Sequence, residues 1–266
     1  MEPELEYDPV LLDELHELAV SAAREAGAMV LEARRGRIGV AGTKSSATDV
    51  VTEVDRRSEA LLVDRLLSAR NDDGILGEEG DDVAGTTGRT WVLDPIDGTR
   101  MFAEGIPLWS TLIGLRADGE VVVGVADAPV LGERYHATLG GGAFCNGDPI
   151  AVSEVATLAD ALVLHAPLEE FIRKTGLPAL TRVSSGARVT RGIGDGWAHL
   201  LVARGAADAL VEQGPCFEWD WTATSVIVHE AGGRLSRLEG GEPTPGCHLL
   251  VSNGRLDDEV RATLLP

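Results

Sequence analysis

Apolar positions recur along the chain with two different periods. Leu12, Leu15, Leu18, Ala19, Ala22 and Ala26 follow helical spacing after Asp8-Pro9, a capping residue and a proline at the first helical position. The pattern predicts one long amphipathic helix ending at about Arg35. Leu61, Leu62, Leu66 and Leu67 predict a second helix, capped by Thr52 or Asp55 and ending near Asn71. Ile75-Leu76 and Trp91-Val92-Leu93 are short apolar runs of strand type. Leu108 to Leu115 and Val121 to Val125 flank Ala117-Asp118-Gly119 and read as a hairpin with an Asp-Gly turn. The sheet is expected to continue through Tyr135 to Phe144, with a turn or bulge at Gly140-Gly141-Gly142.

The composition shifts past Asn146-Gly147-Asp148-Pro149, which places a soft boundary near residue 150 without a flexible linker. Strand-like and helical pieces then alternate: a strand at Ala161 to Leu164, a helix around Glu169 to Thr175 and a strand at Arg182 to Val189. A helix from about Gly196 to Arg204 and a strand at Asp208 to Glu212 follow. Glu218-Trp219-Asp220 opens a helix stopped by Gly232-Gly233, so Asp220 falls in its first turn. His248 to Ser252 reads as a strand and Asp257 to Leu264 as a closing helix. The alternation predicts helices layered on sheets. No internal repeat or low-complexity tract occurs.

A chain of 266 residues with 44% apolar and 25% charged residues has the composition of a soluble globular protein. No stretch approaches the roughly 20 apolar residues of a membrane span, and Met1-Glu2-Pro3-Glu4 lacks the features of a signal peptide, so a cytoplasmic protein with no membrane partner is expected. Cys145, Cys216 and Cys247 are odd in number and lie far apart, which argues against a disulfide framework or a zinc site. The formal charge of −20 disfavours nucleic acid as a partner. An anionic small substrate would need divalent cations to invert the local potential.

Candidate chemistry gathers where the apolar runs stop. Trp91-Val92-Leu93 ends at Asp94-Pro95-Ile96-Asp97-Gly98-Thr99, and Pro95 cannot donate to a ladder, so strand pairing is expected to end near Asp94. Asp, Pro and Gly are also ordinary turn residues. Asp94, Asp97, the Ile96 carbonyl and the Thr99 hydroxyl nevertheless make an inventory of hard oxygen ligands. Ile75-Leu76-Gly77 closes on Glu78-Glu79, so two strand ends present acids together. The stretch Lys44 to Asp55 reads as an unusually polar loop. Asp55 is best explained as helix-start charge, whereas Asp49 lies too early for that role. None of the six histidines lies in these motifs; His16, His199 and His229 fall in predicted helices.

The ordered set Asp49-x-Val51-Thr52-x-x-Asp55, Gly77-Glu78-Glu79, Asp94-Pro95-Ile96-Asp97-Gly98-Thr99 and Trp219-Asp220 ahead of Glu230-Ala231-Gly232-Gly233 resembles the inositol monophosphatase family of magnesium-dependent phosphomonoesterases. The resemblance runs from about Asp8 to Asn253. It implies an α+β fold, a layered αβαβα sandwich. An N-terminal half, 1–149, would carry most metal ligands, and a C-terminal half, 150–266, would carry Asp220 and the substrate-recognition loops, with the cleft between them. It further implies two or three Mg²⁺ ions, with Mn²⁺ as a substitute, held by Glu78, Asp94, the Ile96 carbonyl, Asp97 and Asp220. Thr99 and Asp49, with Glu78, would activate water. Gly98, Thr99 and Lys44 would contact the substrate, with Gly98 letting backbone N–H groups approach the phosphate. Lithium inhibition and a homodimer follow from the same resemblance.

Within the family, Gly105-Ile106-Pro107-Leu108-Trp109, Ala128-Pro129-Val130-Leu131-Gly132-Glu133-Arg134, Gly140-Gly141-Gly142-Ala143-Phe144-Cys145-Asn146-Gly147 and Arg191-Gly192-Ile193-Gly194-Asp195-Gly196-Trp197 resemble the histidinol-phosphate phosphatase branch. Gly194, Asp195 and Glu212 would then face the alcohol part of L-histidinol phosphate. Lys44-Ser45-Ser46 and Asp49-Val50-Val51-Thr52 read instead like the inositol branch. An inositol-1-monophosphatase or a specialised biosynthetic phosphatase is the alternative. A non-catalytic binding protein of the same fold should have lost at least one of Glu78, Asp94, Asp97, Thr99 or Asp220, and all are present. No EF-hand-type calcium loop occurs.

Overall fold

Two β-sheets, each with helices on both faces, account for most of the chain; the computed structural model describes residues 7–35, 40–43, 50–173 and 176–264. Helix α1 (Pro9–Arg35) starts where Asp8-Pro9 requires, with the Asp8 carboxylate accepting the Val10 N–H at 3.0 Å. Strands β1 (Val40–Thr43) and β2 (Val50–Thr52) then pair antiparallel ahead of α2 (Glu53–Ala69). Strand β2 thus stands within the stretch read from sequence as a polar loop, and β1 lies just ahead of it.

The first sheet has seven strands in chain order: β3 (Gly74–Gly77), β4 (Arg89–Asp97), β5 (Ser110–Ala117), β6 (Glu120–Ala128), β7 (Glu133–Thr138), β8 (Gly142–Cys145) and β9 (Asp148–Pro149). Only β3 and β4 are parallel. The β5–β6 turn has φ of 50° at Asp118 and 91° at Gly119, the double positive φ for which an Asp-Gly pair is suited. Leu15, Ala19, Ala22 and Ala26 of α1 and Leu62 and Leu66 of α2 pack on Trp91, Leu93, Ile113, Leu115 and Val125, covering one face.

The second sheet has the order β11 (Val189–Gly192), β10 (Leu162–His165), β12 (Ala209–Cys216), β14 (Cys247–Ser252), β13 (Arg234–Arg237). Strand β10 runs parallel to both β11 and β12, so three strands point their C-terminal ends the same way. Helices α6 (Asp195–Ala203) and α7 (Glu218–Glu230) form the middle layer. Their Ala198, Leu200, Ala223 and Ile227 share one core with Leu112 and Ala126 of the first sheet and Leu164, Leu210 and Val251 of the second. Helix α7 lies so close to the first sheet that a Cβ on Gly124 would stand 2.2 Å from the Ala223 carbonyl oxygen. Helices α4 (Leu168–Arg173), α5 (Gly176–Gly186) and α8 (Asp257–Leu264) cover the outer face through Phe171, Leu180, Val183, Val260 and Leu264. The five layers make the αβαβα sandwich.

One assignment is corrected. Arg182 to Val189 is not a strand: α5 continues to Gly186, and β11 begins only at Val189. Ala179, Leu180 and Val183 are buried at helical spacing, and that spacing outweighed the β-propensity of the valines. Helix α3 (Thr99–Ala103) and strand β13 are additional elements.

Candidate active site

Strand β4 delivers the central acids. Asp94 pairs with Leu112, the ladder is interrupted at Pro95, and pairing resumes with Asp97 opposite Ser110, so it does not end near Asp94 as expected. The missing N–H of Pro95 is accommodated by a bulge, and the Thr111 hydroxyl donates to the Pro95 carbonyl at 3.0 Å. Asp94 and Asp97 therefore follow one another on a buried strand end, at 2% and 5% exposure. Gly98 then turns the chain with φ of 82°, where a Cβ would stand 2.9 Å from the Leu108 carbonyl oxygen. Thr99 opens α3, and its hydroxyl donates to the Ile96 carbonyl at 3.0 Å.

The N-terminus of α6 meets this corner from the second half of the chain. The Gly196 N–H donates to both oxygens of Asp97, at 3.0 and 2.9 Å, and the Ser110 hydroxyl donates to one of them at 3.2 Å. A Cβ on Gly196 would sit 2.9 Å from Asp97 Oδ2, so the close approach requires glycine. Asp195 adopts a φ of 62°, and its N–H donates to Glu212 Oε2 at 3.2 Å. A Cβ on Gly194 would lie 3.2 Å from both Glu212 oxygens. Backbone N–H groups at a helix start thus hold two buried carboxylates from different sheets. Asp220, in the first turn of α7, accepts the Phe217 N–H at 2.6 Å.

The acids crowd one another. Burial, then the charge of Asp195, pushes the Asp97 carboxyl well above its ordinary range, while the Gly196 N–H pulls it back and Asp220 adds to the rise. Glu212 is pushed up by burial and then by Asp195, with Asp97 and Asp220 contributing. Asp195 is raised by burial and lowered by Arg100. Asp97, Asp195, Glu212 and Asp220 therefore share one electrostatic environment.

Glu78 stands at the neighbouring strand end. The parallel register Gly77↔Leu93 sets the next residues, Glu78 and Asp94, side by side beyond β3 and along β4. Buried Glu59 of α2 accepts the Glu79 N–H at 2.9 Å, and a Cβ at Gly77 would come within 2.6 Å of its carboxylate. Lys44 and Asp49 lie outside the described residues. Asp55 is in the first turn of α2 as expected, and it is fully buried. Among the described residues, no three His, Cys, Asp or Glu side chains converge closely enough to grip a metal ion. The supports Ser110, Glu59 and the Gly196 N–H were not singled out in the sequence. Gly196 alone carried a signal, as the glycine after Gly-x-Gly-Asp.

Comparisons with known proteins agree with this architecture. The profile of the inositol monophosphatase family matches residues 11–264. A histidinol-phosphatase from Chlorobaculum parvum is 37% identical over 217 residues, covering 82% of this chain and 83% of the relative. Human inositol monophosphatase 1 is 33% identical over 238 residues, covering 86% and 85%. Among solved structures, the extragenic suppressor protein suhB from Bartonella henselae superposes with a TM-score of 0.89 at 28% identity, covering 95% of this chain and 98% of its own. An inositol monophosphatase from Thermotoga maritima gives 0.85 at 32%, covering 95% and 96%. The sandwich and its relatives define the class as a phosphatase, a hydrolase of phosphate monoesters. The chain belongs to the inositol monophosphatase family.

Proposed function

We propose that the protein is a Mg²⁺-dependent phosphomonoesterase whose substrate is L-histidinol phosphate. The observation that carries the reading is the crowding of Asp97, Asp195 and Glu212 at one buried junction, where burial first and the charge of Asp195 second push Asp97 and Glu212 well above their ordinary range. Such a cluster calls for cations from outside. The oxygens assigned to hold them are carboxylates and the Ile96 carbonyl, beside the Thr99 hydroxyl and with no nitrogen or sulfur, a set suited to Mg²⁺ or Mn²⁺.

Glu78, Asp94, the Ile96 carbonyl, Asp97 and Asp220 would hold two or three ions. Bound there, the ions would neutralise the phosphate, acidify water and stabilise the departing oxygen. Thr99, with Asp49 and Glu78, orients the attacking water and takes up its proton. Gly98 keeps the phosphate approach free of a side chain, and Thr99 and Lys44 are assigned to the substrate. The N-terminal half, 1–149, supplies most of these groups and the C-terminal half, 150–266, supplies Asp220 and the recognition residues. Lithium inhibition, a homodimer and a cytoplasmic location belong to the same reading.

Gly194, Asp195 and Glu212 are assigned to the alcohol end. Two carboxylates there favour the ammonium and imidazole of histidinol phosphate, which can make charge-assisted hydrogen bonds that a polyol cannot. The relatives named histidinol-phosphatase at 37% and 38% identity support this choice. The human relative named inositol monophosphatase 1 and the Thermotoga maritima relative named fructose-1,6-bisphosphatase/inositol-1-monophosphatase favour an inositol phosphate as the second reading. The test is phosphate release from histidinol phosphate, inositol phosphate, nucleoside monophosphates and sugar phosphates by wild type and Asp195→Ala. Histidinol phosphate should give the highest kcat/KM, and Asp195→Ala should lower it. A higher value for inositol phosphate, or unchanged histidinol phosphate turnover in Asp195→Ala, refutes the substrate while leaving the phosphatase class intact.

A further inference from the structure

We infer that Glu133 is a positioning residue for substrate selection, acting through helix α6. Trp197 in the first turn and Arg204 at the C-cap are seven residues apart. Seven residues are about two turns, so both side chains leave the helix on one side. They converge on a single carboxylate. Trp197 Nε1 donates to Glu133 Oε2 at 3.2 Å, and Arg204 Nη1 donates to Glu133 Oε1 at 2.6 Å. The hydroxyl of fully buried Tyr135 donates to Glu133 Oε2 at 2.9 Å and accepts from Arg204 at 3.0 Å. The loop before Glu133 is fixed as well, since Asn146 accepts the Arg134 N–H at 2.9 Å and donates to the Gly132 carbonyl at 2.8 Å.

The clamped helix is short, has no side-chain N-cap, and starts from the left-handed backbone of Asp195. A non-glycine residue in that conformation persists only where its surroundings hold it. Its first two N–H groups reach Glu212 and Asp97. Glu133 grips α6 through Trp197 and Arg204, and thereby sets where Asp195 stands, while Gly196 is tied separately to Asp97, which Ser110 also holds. Three of the stretches that resemble the histidinol-phosphate branch meet in this contact, through Glu133, Asn146 and Trp197.

The inference rests on the reading that Asp195 faces the alcohol end of the substrate. The experiment compares kcat and KM for histidinol phosphate and for p-nitrophenyl phosphate, whose leaving group carries no cation, in wild type, Glu133→Ala, Glu133→Gln, Trp197→Phe and Asp195→Ala, with melting temperatures alongside. Trp197→Phe keeps an aromatic ring but loses the donor, so it remains informative if Glu133→Ala folds poorly. Glu133→Ala and Trp197→Phe should lose about tenfold in kcat/KM on histidinol phosphate, mainly through KM, while p-nitrophenyl phosphate stays within about twofold. Glu133→Gln, whose single amide oxygen can still accept from Trp197 while its NH2 faces Arg204, should recover part of the loss. A merely structural role would shrink the folded fraction and lower both substrates in parallel. Parallel loss, or no loss, in Glu133→Ala and Trp197→Phe overturns the inference. Asp195→Ala reports separately on the reading beneath it, because that reading alone requires this variant to lose selectivity.

Discussion

Glu212 and Asp97 are buried carboxylates held by backbone N–H groups against each other's charge. Glu212 lies above the ordinary value of about 4.3, so the folded protein binds its proton more tightly than the unfolded chain does. For a carboxylate raised on folding, the stabilising contribution is present below the unfolded value and is lost as pH rises through the folded one. Glu212→Gln keeps an acceptor for the Asp195 N–H and removes the charge. In chelator it should melt above wild type at about pH 8, with the gap closing towards about pH 5. Lower melting of the variant at the higher pH would show that the cost of burying and crowding this charge does not dominate there. Asp94→Asn should cost phosphate release at least about a thousandfold, because it removes a carboxylate assigned to hold the cations that would neutralise the phosphate. Thr99→Ala should cost about a hundredfold, losing only water orientation and proton uptake. Comparable kcat values for the two variants would contradict this division of labour. Little of this local support was visible beforehand. The sequence marked Asp94, Asp97, Asp195, Glu212 and Asp220 as candidates, but Ser110 and Glu59 are ordinary polar residues whose importance depends on what folds against them.

Elements with strong internal periodicity were the most legible. The apolar spacing of α1 and the acidic start of α8 predicted both within a residue or two of where they stand. Helix α5 was not legible because Val183 and Val189 look strand-like, and the pairing of β1 with β2 was not legible because only short runs of three and four residues take part, one of them inside a polar stretch. The approach of α7 to the first sheet was not legible at all, since it depends on Gly114 and Gly124 meeting Thr222 and Ala223 from about a hundred residues away. Gly124→Ala should cost about 2–3 kcal/mol by forcing α7 off the sheet, and should lower activity because α7 carries Asp220. Denaturant melts that match wild type would contradict that packing. Between α6 and α7, buried His199 meets the Thr224 hydroxyl at 2.8 Å; that hydroxyl donates to the Trp221 carbonyl, so the His199 Nδ1–H is the donor. Burial pushes the imidazole down to about 4. Its contribution is whole above the ordinary value of about 6.5 and is lost as pH falls through the folded one, up to about 3 kcal/mol. His199→Asn should therefore flatten the acid limb of the stability profile. An unchanged limb would place the acid sensitivity elsewhere.

The whole molecule carries a formal charge of −20, and its middle layer brings acids from both sheets to one junction. Composition conveyed the sign of that charge, and the order of the motifs conveyed the family, because both are properties of the chain. The layering that brings α6 against β4 is a property of the fold. So acidic a cleft is a poor host for a phosphate ester unless cations accompany it. The direct measurement is phosphate release from histidinol phosphate by protein stripped with chelator and then titrated with Mg²⁺. No release should occur in chelator, and full activity should return as Mg²⁺ is added back. Undiminished release in chelator would contradict a metal-held phosphate at Asp94, Asp97 and Asp220.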